Sequence, residues 1–314
     1  MLHWSMEHCP IKMYKGKFKL ITGLGSKDKN KVKDLVLVWM KAGADIFDTS
    51  IDVMPYIQSE AIKAGFDLNK YTFCVSIPVK GDIHGKKAKI IKEKCTLCNQ
   101  CKNVCIDCAI NPPEIDKLRC IGCSRCQKVC GYNAIEIYDD EIEFDEFLKK
   151  DVKLDMVEVH ISIKDIEKIK NDYKKIIDKL KNINCIMSVC LNRNYFSNET
   201  VKELLFELKE ITKDKPFIVQ ADGNSMNGGS EDLSSTIETI AFGNFVKNLG
   251  YDVVLSGGTN EYSAKLANEI NLDCSIGYGS FARKMTEAKE EKEALKIASD
   301  FVKRTKSLLN AKQC

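Results

Sequence analysis

Residues 156–180 read MVEVHISIKDIEKIKNDYKKIIDKL. The first part alternates. Val157, Val159 and Ile161 fall on one side of an extended chain, with Glu158 and His160 on the other. The second part changes period. Ile166, Ile169, Tyr173, Ile176, Ile177 and Leu180 recur at helical spacing and form an apolar stripe. A strand running straight into an amphipathic helix is the repeating unit of a parallel sheet. The aliphatic side of the strand faces that helix, so Glu158 and His160 turn toward the opposite side of the sheet.

The same alternation extends outward in both directions. Strands are expected at 18–24, 44–50 and 73–78 before this unit, and at 185–192, 216–223, 252–259 and 274–280 after it. Helical patterns lie between them, such as Val32, Leu35, Val36 and Trp39, and a last helix is expected over 286–309. With 156–162 the strands number eight. Eight β-then-α units in 314 residues fit an α/β fold of the (β/α)8 TIM type, and a doubly wound open sheet with an added lobe is the alternative. In a closed barrel, Glu158 and His160 point into the interior.

Between the third and fourth strands lies a cysteine-rich stretch. The chain holds 15 cysteines, nine of them from Cys95 to Cys130. Cys95, Cys98, Cys101 and Cys105 have the spacing C-x2-C-x2-C-x3-C, and Cys120, Cys123, Cys126 and Cys130 repeat it. Two copies mark a ferredoxin-type unit holding two [4Fe–4S] clusters on thiolates. Two-residue gaps let a tight loop reach three irons of one cubane. The fourth cysteine is expected to start a short helix that leads to the other cubane. One cluster then takes Cys95, Cys98, Cys101 and Cys130, the other Cys120, Cys123, Cys126 and Cys105. Both copies continue to Ala-Ile at one offset, Gly122 permits a tight turn, and Ile106 and Gly131 stand where Pro usually follows the fourth cysteine. Zinc is the rival metal, but its paired CxxC units are usually further apart. Cys108 is a small apolar filler or a spare thiol.

The expected organisation is a first barrel part at 1–80, a ferredoxin-like α+β insert at 81–140 and a second barrel part at 141–314. A segment leaving the third strand emerges at the barrel face where active sites are built. Its lead-in, 80–94, is rich in lysine and reads as a solvated linker or as docking for an acidic redox partner.

The other strand ends carry candidate chemistry. Ser256-Gly-Gly-Thr-Asn260 and Gly277-Tyr-Gly-Ser280 close the last two strands. Barrels commonly bind phosphate there, because glycine lets backbone N–H groups approach an anion. Gly257, Gly258, Thr259, Gly279, Ser280 and Arg283 are therefore the candidates for holding FMN or another phosphate-bearing ligand. Asp48 and Thr49 end the second strand, Asn192 the fifth, and Gln220 and Asp222 the sixth, before the loop 223–229; Lys19 lies in the first. His160, Asp222, Glu158, Asp48 and Lys19 are the candidates for acid–base work. No Ser/His/Asp order or HExxH motif points to hydrolysis.

Composition bounds the rest. Apolar residues are 44% and charged residues 30%, which describes a globular protein with material for a core. A net charge of +3 is too weak to argue for nucleic acid, and no apolar run approaches a membrane span. An odd cysteine count argues against a disulfide framework, and His3, Trp4, Glu7 and His8 stand where a secretory leader needs apolar residues. A cytoplasmic location is expected.

Taken together, the cysteine pair, Val219-Gln-Ala-Asp-Gly-Asn-Ser-Met-Asn-Gly228, Gly257-Gly-Thr-Asn260 and Gly279-Ser-Phe-Ala-Arg283 resemble the LdpA (light-dependent period protein) family. The stretches 35–48 and 157–160 resemble its second and fourth strand regions. The resemblance implies an iron–sulfur protein that reports cellular redox state to a regulatory pathway. By position it carries a site to Lys19, Asp48, Glu158, His160, Gln220, Asp222, Gly257, Gly258, Thr259, Gly279, Ser280 and Arg283. Three functional readings follow. The first is electron transfer or redox sensing with a ferredoxin- or flavodoxin-like partner or a reductase. The second is a cluster-fed oxidoreductase with a flavin or a phosphorylated substrate in the barrel. The third is a scaffold with a silent barrel. Oligomeric state is open.

Overall fold

The computed structural model describes residues 15–23, 27–140, 143–223 and 233–311. Eight parallel strands close into a barrel. Numbered by barrel position, they are β1 (Phe18–Ile21), β2 (Ile46–Thr49), β3 (Thr72–Pro78), β4 (Met156–Ile161), β5 (Ile186–Asn192), β6 (Phe217–Asp222), β7 (Asp252–Ser256) and β8 (Ser275–Tyr278). β1 pairs with both β2 and β8, which closes the ring. The open doubly wound sheet is thereby excluded.

Each expected strand is present, most of them slightly shorter than the expected run and β3 one residue longer. β7 stops at Ser256 because Gly257 and Gly258 turn to φ of 62° and 98°, so Thr259 lies in a loop. Leu24, at the expected end of β1, lies outside the described residues, as does most of the loop after β6. The helix after β4, Ile166–Leu180, buries Ile169, Tyr173, Ile176, Ile177 and Leu180, the stripe read from the sequence. The Asp165 side chain accepts from the Lys168 N–H at 3.0 Å and supplies its N-cap. The last helix, expected over 286–309, starts later, at Glu291–Asn310, and a separate short helix, Ser280–Thr286, precedes it. Ala288 sits at φ 57° between them, and Glu291 and Glu293 favour the new start through the helix dipole.

Aliphatic faces of the strands pack outward against the helices in one core that includes Val157, Val159, Ile161, Phe47 and Phe73. Inward, Ile46, Cys74, Met156, Ile186, Ile218 and Val254 form a separate apolar plug near the strands' N-terminal ends. Polar side chains occupy the layers above it.

The ferredoxin-like insert leaves β3 and returns before β4. Its base is an antiparallel pair, Lys86–Ile90 with Ile135–Asp139. The lysine-rich lead-in is therefore not a linker: Lys87 is buried and donates to the Cys120 carbonyl at 2.5 Å. Lys27, in the loop after β1, pairs with Asp52 at 2.9 Å and with Asp140 at 2.8 Å, tying the barrel mouth to the end of the insert. Among the described residues, no helix is long and apolar enough to cross a membrane.

Candidate functional site

The eight motif cysteines line two cavities. Cys95, Cys98, Cys101 and Cys130 surround one. Cys105, Cys120, Cys123 and Cys126 surround the other. Each motif thus sends its fourth cysteine to the other motif's cavity. None of these cysteines is in a disulfide.

The two loops are conformational copies. Leu97 and Gly122 hold φ of 57° and 72° at one offset, and Asn99 and Ser124 hold 63° and 61° at the next. At Gly122 a Cβ would lie 2.1 Å from the Lys86 carbonyl oxygen, so the glycine is required by space as well as by φ. The third cysteine of each motif lies within a short helix, Gln100–Asn103 or Arg125–Val129. The fourth follows that helix rather than starting one, a correction to the expectation. The shared Ala-Ile pair has its reason here. Ala109 N–H donates to Cys105 Sγ at 3.2 Å and Ala134 N–H to Cys130 Sγ at 3.3 Å, while Ile110 and Ile135 are buried beside the cavities. The donor set fits an iron–sulfur group. Burial, with Cys120 and Cys123 close by, pushes the Cys126 thiol up to about 12, so four thiolates here need cationic metal among them. Cys108 is exposed and outside both sets.

A second cluster of chemistry fills the barrel interior. Lys19 Nζ lies 2.8 Å from Asp48 Oδ2 and 2.5 Å from Glu158 Oε2, and donates to Gln220 Oε1 at 2.7 Å. Gln220 Nε2 donates to Glu158 Oε1 at 2.7 Å, Ser188 to Glu158 Oε2 at 2.9 Å, and Ser76 to Asp48 Oδ1 at 2.6 Å. Lys19 and Glu158 are fully buried, so this charge network is paired throughout, as burial requires. Burial would push the Glu158 carboxyl up, but Lys19 and His160 outweigh it and hold it well below the usual carboxylate range.

One layer nearer the mouth, His160 Nε2 lies 3.2 Å from Glu158 Oε1. Burial opposes its protonation, yet Cys190 and Glu158 raise its pKa well above the ordinary value. Asp222 is pushed up to about 6 by burial, against the pull of His84 and His160. The structure therefore gathers His160, Asp222, Glu158, Asp48 and Lys19 into one interior column. It adds residues that the sequence did not single out. His84 comes from the insert's lead-in, its ring 4.7 Å from that of His160, and its Nδ1 is 2.8 Å from Asp82 Oδ1. Cys190 is in register with His160 on the neighbouring strand. The Asp82-x-His84 spacing, directly after a strand, was the one available sign of His84; the alternation Ser188, Cys190, Asn192 along β5 was the sign of Cys190.

The glycine-rich strand ends follow β7 and β8, with Ser256 in register with Asp222. Gly258 packs so closely on the helix Leu233–Asn248 that a Cβ would stand 2.8 Å from the Ser235 carbonyl oxygen. Thr259 Oγ1 donates to the Gly277 carbonyl at 2.6 Å. Arg283 Nη1 donates to the Ile21 carbonyl at 3.0 Å, above Gly279, and burial lowers its pKa. Ser280 and Arg283 also line a groove shared with Ile106 and Asp107 of the insert.

Comparison with known proteins agrees with both parts. The family model "Light dependent period A C-terminal domain" matches residues 132–312. The model "4Fe-4S binding domain" matches residues 113–136, which take in the second cysteine motif. No curated protein matches the chain. Solved structures are similar over most of the chain. Deoxyribose phosphate aldolase from Aeropyrum pernix is 13% identical with a TM-score of 0.47, covering 91% of each chain. A 3-hexulose-6-phosphate synthase is 10% identical with a TM-score of 0.47, covering 91% of this chain and 99% of that one.

Proposed function

The chain belongs to the light dependent period A C-terminal domain family and is an iron–sulfur protein with a 4Fe-4S ferredoxin-type domain; from there we propose that it holds two [4Fe–4S] clusters and serves electron transfer or redox sensing. The observation that carries this is the four-and-four division of the cysteines between two cavities, each completed by the other motif's fourth cysteine. Cys95, Cys98, Cys101 and Cys130 hold one cluster; Cys105, Cys120, Cys123 and Cys126 hold the other. When bound, such clusters supply one-electron transfer at low potential. The chain's own part is to bury the sulfurs and to aim the Ala109 and Ala134 amides at Cys105 and Cys130, which favours negative charge on those two sulfurs. The units are 1–80, 81–140 and 141–314, the site of action is the cytoplasm, and a redox protein exchanges electrons with the insert. Gly257, Gly258, Thr259, Gly279, Ser280 and Arg283 take a phosphate-bearing ligand such as FMN at the barrel mouth.

The anaerobically purified chain should contain about eight irons and eight sulfides, with a broad band near 400 nm that dithionite bleaches. Cys95→Ala should lose the iron of one cluster. Four irons in the wild type, or full iron content in Cys95→Ala, would contradict the proposal.

A second function is favoured by the buried acid–base column. In it, the clusters feed an oxidoreductase whose proton donors and acceptors are His160 and Asp222, supported by Glu158, Asp48 and Lys19. A flavin spectrum that survives destruction of the clusters would select it.

A further inference from the structure

Above the paired Lys19 network, several polar atoms have no partner among the described residues. They are His160 Nδ1, Asp222 Oδ1 and Asp82 Oδ2, all buried. His160 and Asp222 come from β4 and β6, and Asp82 from the insert's lead-in. Both imidazoles are already fixed from behind. Asp82 holds Nδ1 of His84, and Glu158 holds Nε2 of His160. That leaves His84 Nε2 and His160 Nδ1 as the free ring nitrogens. A histidine that gives one ring nitrogen to a carboxylate and keeps the other for a ligand is the usual arrangement around a metal ion.

A thiol and a carboxylate stand beside them. Cys190 Sγ lies 4.0 Å from Asp222 Oδ2, and the ligand atoms of Glu158, His160 and Cys190 lie within 4.8 Å of one another. Tetrahedral zinc bonds of about 2.0–2.3 Å set neighbouring donors about 3.3–3.8 Å apart, so the Cys190–Asp222 pair is near ligand separation, while the His160 ring has up to about 1 Å to close on Cys190. Glu158 is not itself free, because its oxygens already accept from Lys19, Ser188 and Gln220. A second geometric group, Asp48, Cys74 and Glu158, is filled by the Lys19 ammonium.

Charge selects the ligand. Asp48, Asp82, Glu158 and Asp222 are all buried in or at the mouth of the barrel, against the Lys19 ammonium and the His160 ring, whose proton a bound metal displaces. An anion added there meets four carboxylates, whereas a divalent cation offsets them. We propose that the barrel mouth binds one divalent transition metal through His160, Cys190, Asp222 and His84, with Asp82 and Glu158 as the positioning residues behind the two imidazoles. Mixed nitrogen, sulfur and carboxylate donors suit zinc better than magnesium or calcium. The insert that carries the cysteine motifs supplies the fourth ligand, so occupancy of the mouth holds the insert to the barrel.

The proposal does not rest on the cysteine motifs, and the test separates the two. Zinc is titrated by calorimetry into the full chain, purified without oxygen, with iron, sulfide and zinc counted before and after. The expected result is one zinc bound per chain with iron unchanged. Asp82→Asn keeps every ligand and should weaken binding about 10–100-fold. His84→Gln, on a side chain at the surface of the mouth, should weaken it at least as much, and circular dichroism checks both folds. With ¹¹³Cd in place of zinc, Cys190→Ser should move the resonance upfield by removing sulfur. Absence of stoichiometric zinc, or zinc affinity equal in wild type, Asp82→Asn and His84→Gln, overturns the proposal. Loss of iron with zinc binding intact and His84-dependent leaves it standing and removes the cluster assignment instead.

Discussion

At the scale of single residues, the deciding feature is a lysine with no exposure inside a barrel. Lys19 is kept charged there by Asp48 and Glu158, which outweigh the desolvation that burial imposes. Removing one member leaves the others uncompensated. Glu158→Gln should therefore cost about 3–5 kcal/mol of unfolding free energy, measured by urea denaturation near neutral pH. The same residue sets a pH dependence. Its folded pKa lies below the unfolded value of about 4.3, so the unfolded state takes up its proton first as the solution is acidified. The stability it contributes is present above about pH 4.3 and is lost as pH falls further toward the folded value. Glu158→Gln should show a shallower loss of stability than wild type over that acid window. An equal slope would place the acid sensitivity elsewhere.

At the scale of elements, β4 and its helix show why a short pattern is sufficient. Val157, Val159 and Ile161 bury one face and Glu158 and His160 the other, with no residue of the strand exposed. Helix Leu233–Asn248 shows the opposite case, because its apolar residues are spread around it and the sequence offers no stripe. The cysteine loops depend on backbone angles that only certain residues hold. Gly122→Ala adds a side chain at φ 72° and drives it into the Lys86 carbonyl. The left-handed angle alone costs about 1–2 kcal/mol. Iron per chain should fall in Gly122→Ala while the barrel's melting temperature stays at the wild-type value. Full iron content would show that the loop relaxes without loss.

At the scale of the whole molecule, two cores of unequal size are joined at the barrel mouth. The barrel has a large apolar core of its own. The insert's core is small and is made in part of the cysteines themselves, with Ala88, Ile110 and Ile135. A core of that size depends on bound metal for its order. Stripping iron from the protein should therefore raise amide hydrogen exchange across 86–139 to near the unstructured rate, with the strands of the barrel still protected. Uniform loss of protection over both parts would mean that they fold as one unit.

The barrel and the cysteine motifs were legible in the sequence because both rest on local periods. Alternation by two gave the strands, helical spacing gave the helices, and fixed gaps between cysteines gave the loops that hold sulfur. Each of these is a property of a few consecutive residues. The break at Ala288 was not legible, since nothing in Thr286-Glu-Ala-Lys-Glu290 forbids a helix. The mouth itself was legible only in part. Glu158 and His160 announced their face by alternation, and Asp222 its place at a strand end. That the His84 ring lies tilted against His160 across 76 residues, that Asp82 fixes its ring, and that Cys190 lies between β4 and β6 follow from closure of the barrel. Closure sets which interior side chains share a layer through the stagger of eight strands at once, and no local stretch of sequence contains that information.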